Sequence, residues 1–189
     1  MLKNTVHLFH QTLTPEDHCA VTQDILEAYH NTQLEEWDNN ISLSGPFIEH
    51  CRNSLKRYAE YLWGEFDYLT DPRSEDGWAY VSNCDTYKGR NIHTHQDTCT
   101  VTGVYYLCVP DQHSGAIDFW NNHDQHLYTH QPQQGDFLVF PSTLRHSIQQ
   151  NQSKQYRISI NVELLAEPKF EIISHTKREA PAPEKPRSG

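Results

Sequence analysis

Positive charge is scarce in this chain: 15 Lys and Arg stand against 25 Asp and Glu, a formal net charge of −10. That balance opposes sequence-independent nucleic-acid binding, which needs a Lys/Arg surplus to neutralise phosphates. No apolar run approaches the roughly 18 residues of a membrane helix, and Met1 to His10 lacks an apolar stretch followed by a cleavage site. The expectation is a soluble, cytoplasmic protein. Cys19, Cys51, Cys84, Cys99 and Cys108 are odd in number and contain no CxxC pair, which argues against a disulfide framework or zinc knuckle and for reduced thiols. Hydrophobic residues are only 36% and mean hydropathy is −0.78. Aromatics at 11% can nevertheless fill a core. A chain of 189 residues has room for one domain, which we place over 1–174, with a Pro-rich and non-periodic tail over 175–189 expected to be disordered.

The remaining pattern divides in two. Thr14-Pro15-Glu16-Asp17 reads as a capped helix start, with Val21, Ile25, Ala28 and Tyr29 recurring at helical spacing up to about His30. A second helix follows Ser44-Gly45-Pro46, where Phe47, Ile48, Cys51, Leu55, Tyr58, Ala59 and Leu62 repeat up to Trp63-Gly64. From Trp78 the periodicity shortens. Strands are expected near 78–84, 91–97, 100–109, 116–120, 126–129, 137–140, 145–149 and 156–163. A helical part over about 1–70 would thus buttress a mostly β part over about 78–163. Short strands with turn signals between them favour a double-stranded β-helix, a jelly-roll or cupin-like barrel, over a parallel α/β sheet.

Thirteen histidines are present, and context must select among them. If Asn91 to Asp97 runs as a strand, His93, His95 and Asp97 share one face. A 2-His-1-carboxylate set leaves metal positions open for O2 and a cosubstrate. His95 and Asp97 would supply two ligands. The third would be His146, which follows the apolar run Phe137-Leu138-Val139-Phe140-Pro141 and a turn. Arg157 then stands in a β-branched strand beside Ile158 and Ser159, and a buried guanidinium requires an anionic partner. The cluster His123, His126 and His130 reads as solvated.

Together these segments resemble the Fe(II)/2-oxoglutarate-dependent dioxygenase superfamily over roughly residues 78–163. Tyr87-Lys88-Gly89, His95-Gln96-Asp97, Thr102-Gly103-Val104-Tyr105-Tyr106-Leu107, Ser114-Gly115-Ala116-Ile117-Asp118-Phe119, Pro141 to His146 and Arg157-Ile158-Ser159 follow the superfamily's order. A prolyl-hydroxylase-like scaffold is similar, and so is a bacterial and phage subgroup with an HxH…SGVYYL signature, from which this chain departs by Thr102 in place of Ser. The resemblance implies Fe(II) as metal and 2-oxoglutarate and O2 as cosubstrates. It implies Arg157 and Ser159 at the distal carboxylate, with Tyr106 also touching 2-oxoglutarate. Tyr87 is a candidate to close that pocket, and a structural tyrosine is the bland alternative. The overlap of HxH with HxD leaves His93 as an alternative ligand or a supporting residue. We favour Asp97, because a carboxylate suits Fe(II).

The implied reaction is hydroxylation of a C–H bond in a small molecule or protein side chain, releasing succinate and CO2. A non-catalytic cupin-like sensor of a metal or small acid is the alternative, and it leaves the buried Arg157 unexplained. A zinc hydrolase would need a general base at the open position, and no HExxH helix is present.

Overall fold

A computed structural model of the protein describes residues 2–32, 39–70, 77–86 and 91–169. Helix α1 spans Pro15–Asn31, and its cap is the expected one: the Thr14 hydroxyl accepts the Asp17 backbone N–H at 3.1 Å, satisfying a donor that the first turn leaves open. Helix α2 spans Pro46–Trp63. Its buried residues Ile48, Cys51, Leu55 and Ala59 are spaced three, four and four apart, which aligns them as one stripe.

Eleven strands occur among the described residues: β1 His7–His10, β2 Asn40–Ser42, β3 Phe66–Tyr68, β4 Trp78–Ser82, β5 Val101–Cys108, β6 Ile117–Trp120, β7 His126–His130, β8 Asp136–Pro141, β9 Arg145–Ile148, β10 Arg157–Leu164 and β11 Ala166–Pro168. Seven match the expected strands closely. The short β1, β2, β3 and β11 were not foreseen, being three or four residues each, too short for a period to show. The expected strand over 91–97 is absent; a single bridge at His93 remains, paired with His146. All pairings are antiparallel. A six-stranded sheet has the order β1-β8-β5-β10-β4-β2, a three-stranded sheet the order β7-β6-β9, and β11 pairs with β3. The architecture is a mostly β jelly roll whose sheets are not hydrogen-bonded into a closed barrel.

Strand β10 shows how the layers are built. Ile158, Ile160, Val162 and Leu164 point to one face and join the core formed with Ile48, Leu55 and Ala59 of α2. Each fully buried side chain of this size contributes roughly 1.5–3 kcal/mol. Arg157, Ser159, Asn161 and Glu163 take the opposite face by alternation. Strand β5 divides likewise: Val101, Tyr105 and Leu107 face the helices, whereas Val104 and Tyr106 join the second core with Ile117, Phe119, Leu138, Phe140 and Leu144. At Gly103 an added Cβ would lie 2.8 Å from the Phe137 ring and 3.0 Å from Leu55, so α2 and β8 crowd the sheet where that residue has no side chain. The polar face of β10 therefore opens between the two sheets. The tail over 175–189 and Tyr87 lie outside the described residues.

Candidate metal centre

Three imidazoles meet at one end of the space between the sheets. His146 lies on β9 and is buried, while His93 is tied to it by reciprocal backbone hydrogen bonds of 3.0 Å. His95 follows two residues later and its N–H donates to the Ser142 carbonyl at 2.9 Å. One nitrogen from each of His93, His95 and His146 lies within 4.8 Å of the others.

The far side of each ring determines what the near side offers. Nδ1 of His93 faces the Asn91 carbonyl at 2.9 Å and Nδ1 of His146 faces the Leu144 carbonyl at 3.1 Å. A carbonyl only accepts, so both Nδ1 atoms carry protons and both Nε2 atoms present lone pairs. Nδ1 of His95 lies 2.7 Å from Oε1 of Glu163, a charge contact behind the ring. Nε2 of His95 and Nε2 of His146 stand 3.3 Å apart. One shared proton or one bound cation can span that distance. With metal–nitrogen bonds of about 2.1 Å, neighbouring ligands sit about 3.0 Å apart at right angles and about 3.4 Å apart in a tetrahedron. The observed separation falls in that interval. The His93, His95 and His146 triad fits an iron site.

Asp97 is elsewhere. The chain turns immediately after His95, whose carbonyl accepts the N–H groups of Thr98 at 3.1 Å and Cys99 at 3.0 Å. Gln96 and Asp97 are exposed on that turn. The alternation that would align Asp97 with His95 holds only in extended backbone, and the turn breaks it. The geometric set is thus His93, His95 and His146, the alternative left open above, in place of His95, Asp97 and His146.

The same cleft continues to the polar face of β10, with Trp78, Tyr106, Arg157, Ser159 and Asn161 in its walls. Arg157 is 1% exposed. It donates from Nη1 to the Gly115 carbonyl at 3.0 Å, and its Nε has no hydrogen-bond partner. No described Asp or Glu forms an ion pair with it. A buried cation with an orphaned N–H is costly, and a carboxylate entering the cleft would relieve both defects. Ser159 and Tyr106 are paired neighbours across β10 and β5. Burial pushes the Tyr106 phenol up to about 12, against the pull of Arg157, so it remains a hydrogen-bond donor at neutral pH.

Several features here were not foreseen. Trp78 tilts over His95 with ring centroids 6.2 Å apart, and Asn161 lines the cleft. Glu163 continues the alternating row that begins at Arg157 and was legible by the same rule. His130, taken as solvated, is buried and lies 2.9 Å from Asp136 Oδ2. His123 and His126 are exposed as expected.

Residues 76–163 match a family described as putative 2OG-Fe(II) oxygenase. That stretch of the chain is similar to Fe(II)/2-oxoglutarate-dependent oxygenases. The matched segment contains all three imidazoles, Arg157 and Ser159, and the family it matches is described by Fe(II) and 2-oxoglutarate. No curated protein matches the chain in sequence. Among solved structures, a prolyl hydroxylase from Trichoplax adhaerens in complex with a hypoxia inducible factor peptide is similar at 18% identity and TM-score 0.62, covering 86% of this chain and 84% of that one. A Pseudomonas putida prolyl-4-hydroxylase is similar at 12% identity and TM-score 0.56, covering 85% and 91%. The α-ketoglutarate-dependent carbocyclase SnoK of nogalamycin biosynthesis is similar at 12% identity and TM-score 0.64, covering 97% and 89%. These three likenesses concern the fold.

Proposed function

We propose that this oxygenase hydroxylates a C–H bond of a small molecule or protein side chain, with residues 1–174 acting as one domain. In this reading His93, His95 and His146 hold Fe(II), while Arg157, Ser159 and Tyr106 hold the distal carboxylate of 2-oxoglutarate. The observation that carries it is Arg157, a buried guanidinium with an orphaned Nε in the same cleft as three convergent imidazoles.

When bound, Fe(II) with 2-oxoglutarate and O2 supplies an oxidation of substrate coupled to release of succinate and CO2. The protein's share is placement. Arg157 offers a planar fork suited to a carboxylate, Ser159 offers a hydroxyl, and Tyr106 offers a phenol O–H. Val104, Ile117 and Ile148 are the aliphatic residues of the cleft walls and exclude water from it. Trp78, Asn161 and the half-buried His93 stand nearest the metal end, where a substrate would meet the site.

No Asp or Glu lines the cleft among the described residues, so a hydrolase lacks its general base there. The likeness to prolyl hydroxylases and to a biosynthetic carbocyclase supports both protein and small-molecule substrates, and the net charge of −10 favours either over nucleic acid. All five cysteines are free thiols, which suits a reducing, cytoplasmic setting. No described helix is long and apolar enough to cross a membrane.

The test is anaerobic. Protein mixed with Fe(II) and 2-oxoglutarate is expected to develop a metal-to-ligand charge-transfer band, and admission of O2 is expected to yield succinate. Absence of both the band and succinate contradicts the proposal.

A further inference from the structure

One of the three imidazoles has a carboxylate behind it. Asn91 and Leu144 offer carbonyls to His93 and His146. His95 has Glu163, whose Oε1 lies 2.7 Å from Nδ1. The contact is close but lies off the line of a straight N–H···O bond, so charge more than hydrogen-bond alignment defines it. Both side chains are shielded, at 15% and 10% exposure for His95 and Glu163. Glu163 is fixed from its other oxygen: the Thr98 hydroxyl donates to Oε2 at 3.0 Å. Among the described residues no Lys or Arg pairs with it.

A three-histidine set has a chemical deficit. It brings no negative charge to a divalent ion, whereas a set with one carboxylate brings one. The turn after His95 sends Asp97 outward, and β10 returns a carboxylate to the same ring from behind. We propose that Glu163 is a positioning residue of the metal centre. It holds the His95 ring with Nε2 toward His146, and through the ring it supplies the negative charge that the ligand set lacks. This inference rests on the metal-binding reading above. Acceptors behind a ligating histidine raise the ring's basicity, and losing one typically lowers metal affinity by about 10- to 100-fold.

The experiment compares wild type, Glu163→Gln and Glu163→Ala on the full chain, with thermal melts to establish folding. Gln keeps an acceptor oxygen and removes the charge; Ala removes both. Titration with Co(II) alone is expected to show affinity falling by about 10-fold in Glu163→Gln and further in Glu163→Ala. With Fe(II) and 2-oxoglutarate, the charge-transfer band of Glu163→Gln is expected to move to higher energy, because an electron leaves Fe(II) less readily when a nearby anion is gone. A folded Glu163→Gln that binds Co(II) within twofold of wild type and leaves the band unmoved overturns the proposal. If wild type binds Co(II) in a Glu163-dependent manner yet forms no band with 2-oxoglutarate, the positioning role stands and the oxygenase reading falls. If wild type binds neither metal, both fall.

Discussion

Arg157 and Ser159 occupy a strand hydrogen-bonded on both sides, with β4 and β5 as neighbours, and both are fully buried. At the opposite end of the cleft, His93 and His95 sit on a segment with one β-bridge and a turn, half-buried. The first end is held in position by two backbone ladders. The second is held by a few hydrogen bonds, with His95 and His146 close enough to share one cation. A rigid anchor for an anion thus faces a metal end whose geometry the ligand completes.

His146 is where the two ends should differ most from a common failure. It is the proposed ligand borne by a regular strand, and His146→Ala is expected to reduce turnover by more than roughly 100-fold, beyond the range of outer partners, with metal content measured in parallel. Arg157→Met breaks the opposite end. Its KM for 2-oxoglutarate is expected to rise about 100-fold, corresponding to about 3 kcal/mol, while Fe(II) alone binds as before. Because the guanidinium is buried with an orphaned N–H, the same variant without cosubstrate is expected to melt no lower than wild type. A fall in melting temperature with an unchanged KM would instead make Arg157 a structural residue. Ser159→Ala tests the finer contact, with an expected KM increase of about fivefold, near 1 kcal/mol for one neutral hydrogen bond.

The difference between the ends also explains what could be read from the chain. Helices α1 and α2 and the strands from Trp78 onward were legible because their apolar positions keep a regular period. Arg157 stood out because a charge interrupts a β-branched run. His146 was legible through the strand that precedes it. The third member of the geometric triad was not, because choosing between His93 and Asp97 depends on where extended backbone stops. That is decided by the Ser142 and His95 carbonyls, which hold the chain in a turn, and no local pattern in Asn91 to Asp97 announces it. Glu163 was missed for a different reason: its place in the alternating row was visible, but its partner lies 68 residues earlier in the chain, at His95.

The buried phenol of Tyr106 gives a smaller effect. Its pKa rises from 10.0 to about 12 on burial, so between those values the unfolded chain releases a proton that the folded chain retains. Stability is expected to decline as pH rises through that window, and denaturant midpoints across it should decline less steeply in Tyr106→Phe.

The central claim is that three histidines, and not two histidines with Asp97, form the metal centre. Anaerobic Fe(II) titration of His93→Ala and Asp97→Ala, each judged against wild type, tests it most directly. The account predicts at least a tenfold loss of affinity for His93→Ala, and affinity within about twofold of wild type for Asp97→Ala. The reverse order, with Asp97→Ala losing the metal and His93→Ala retaining it, would contradict the account.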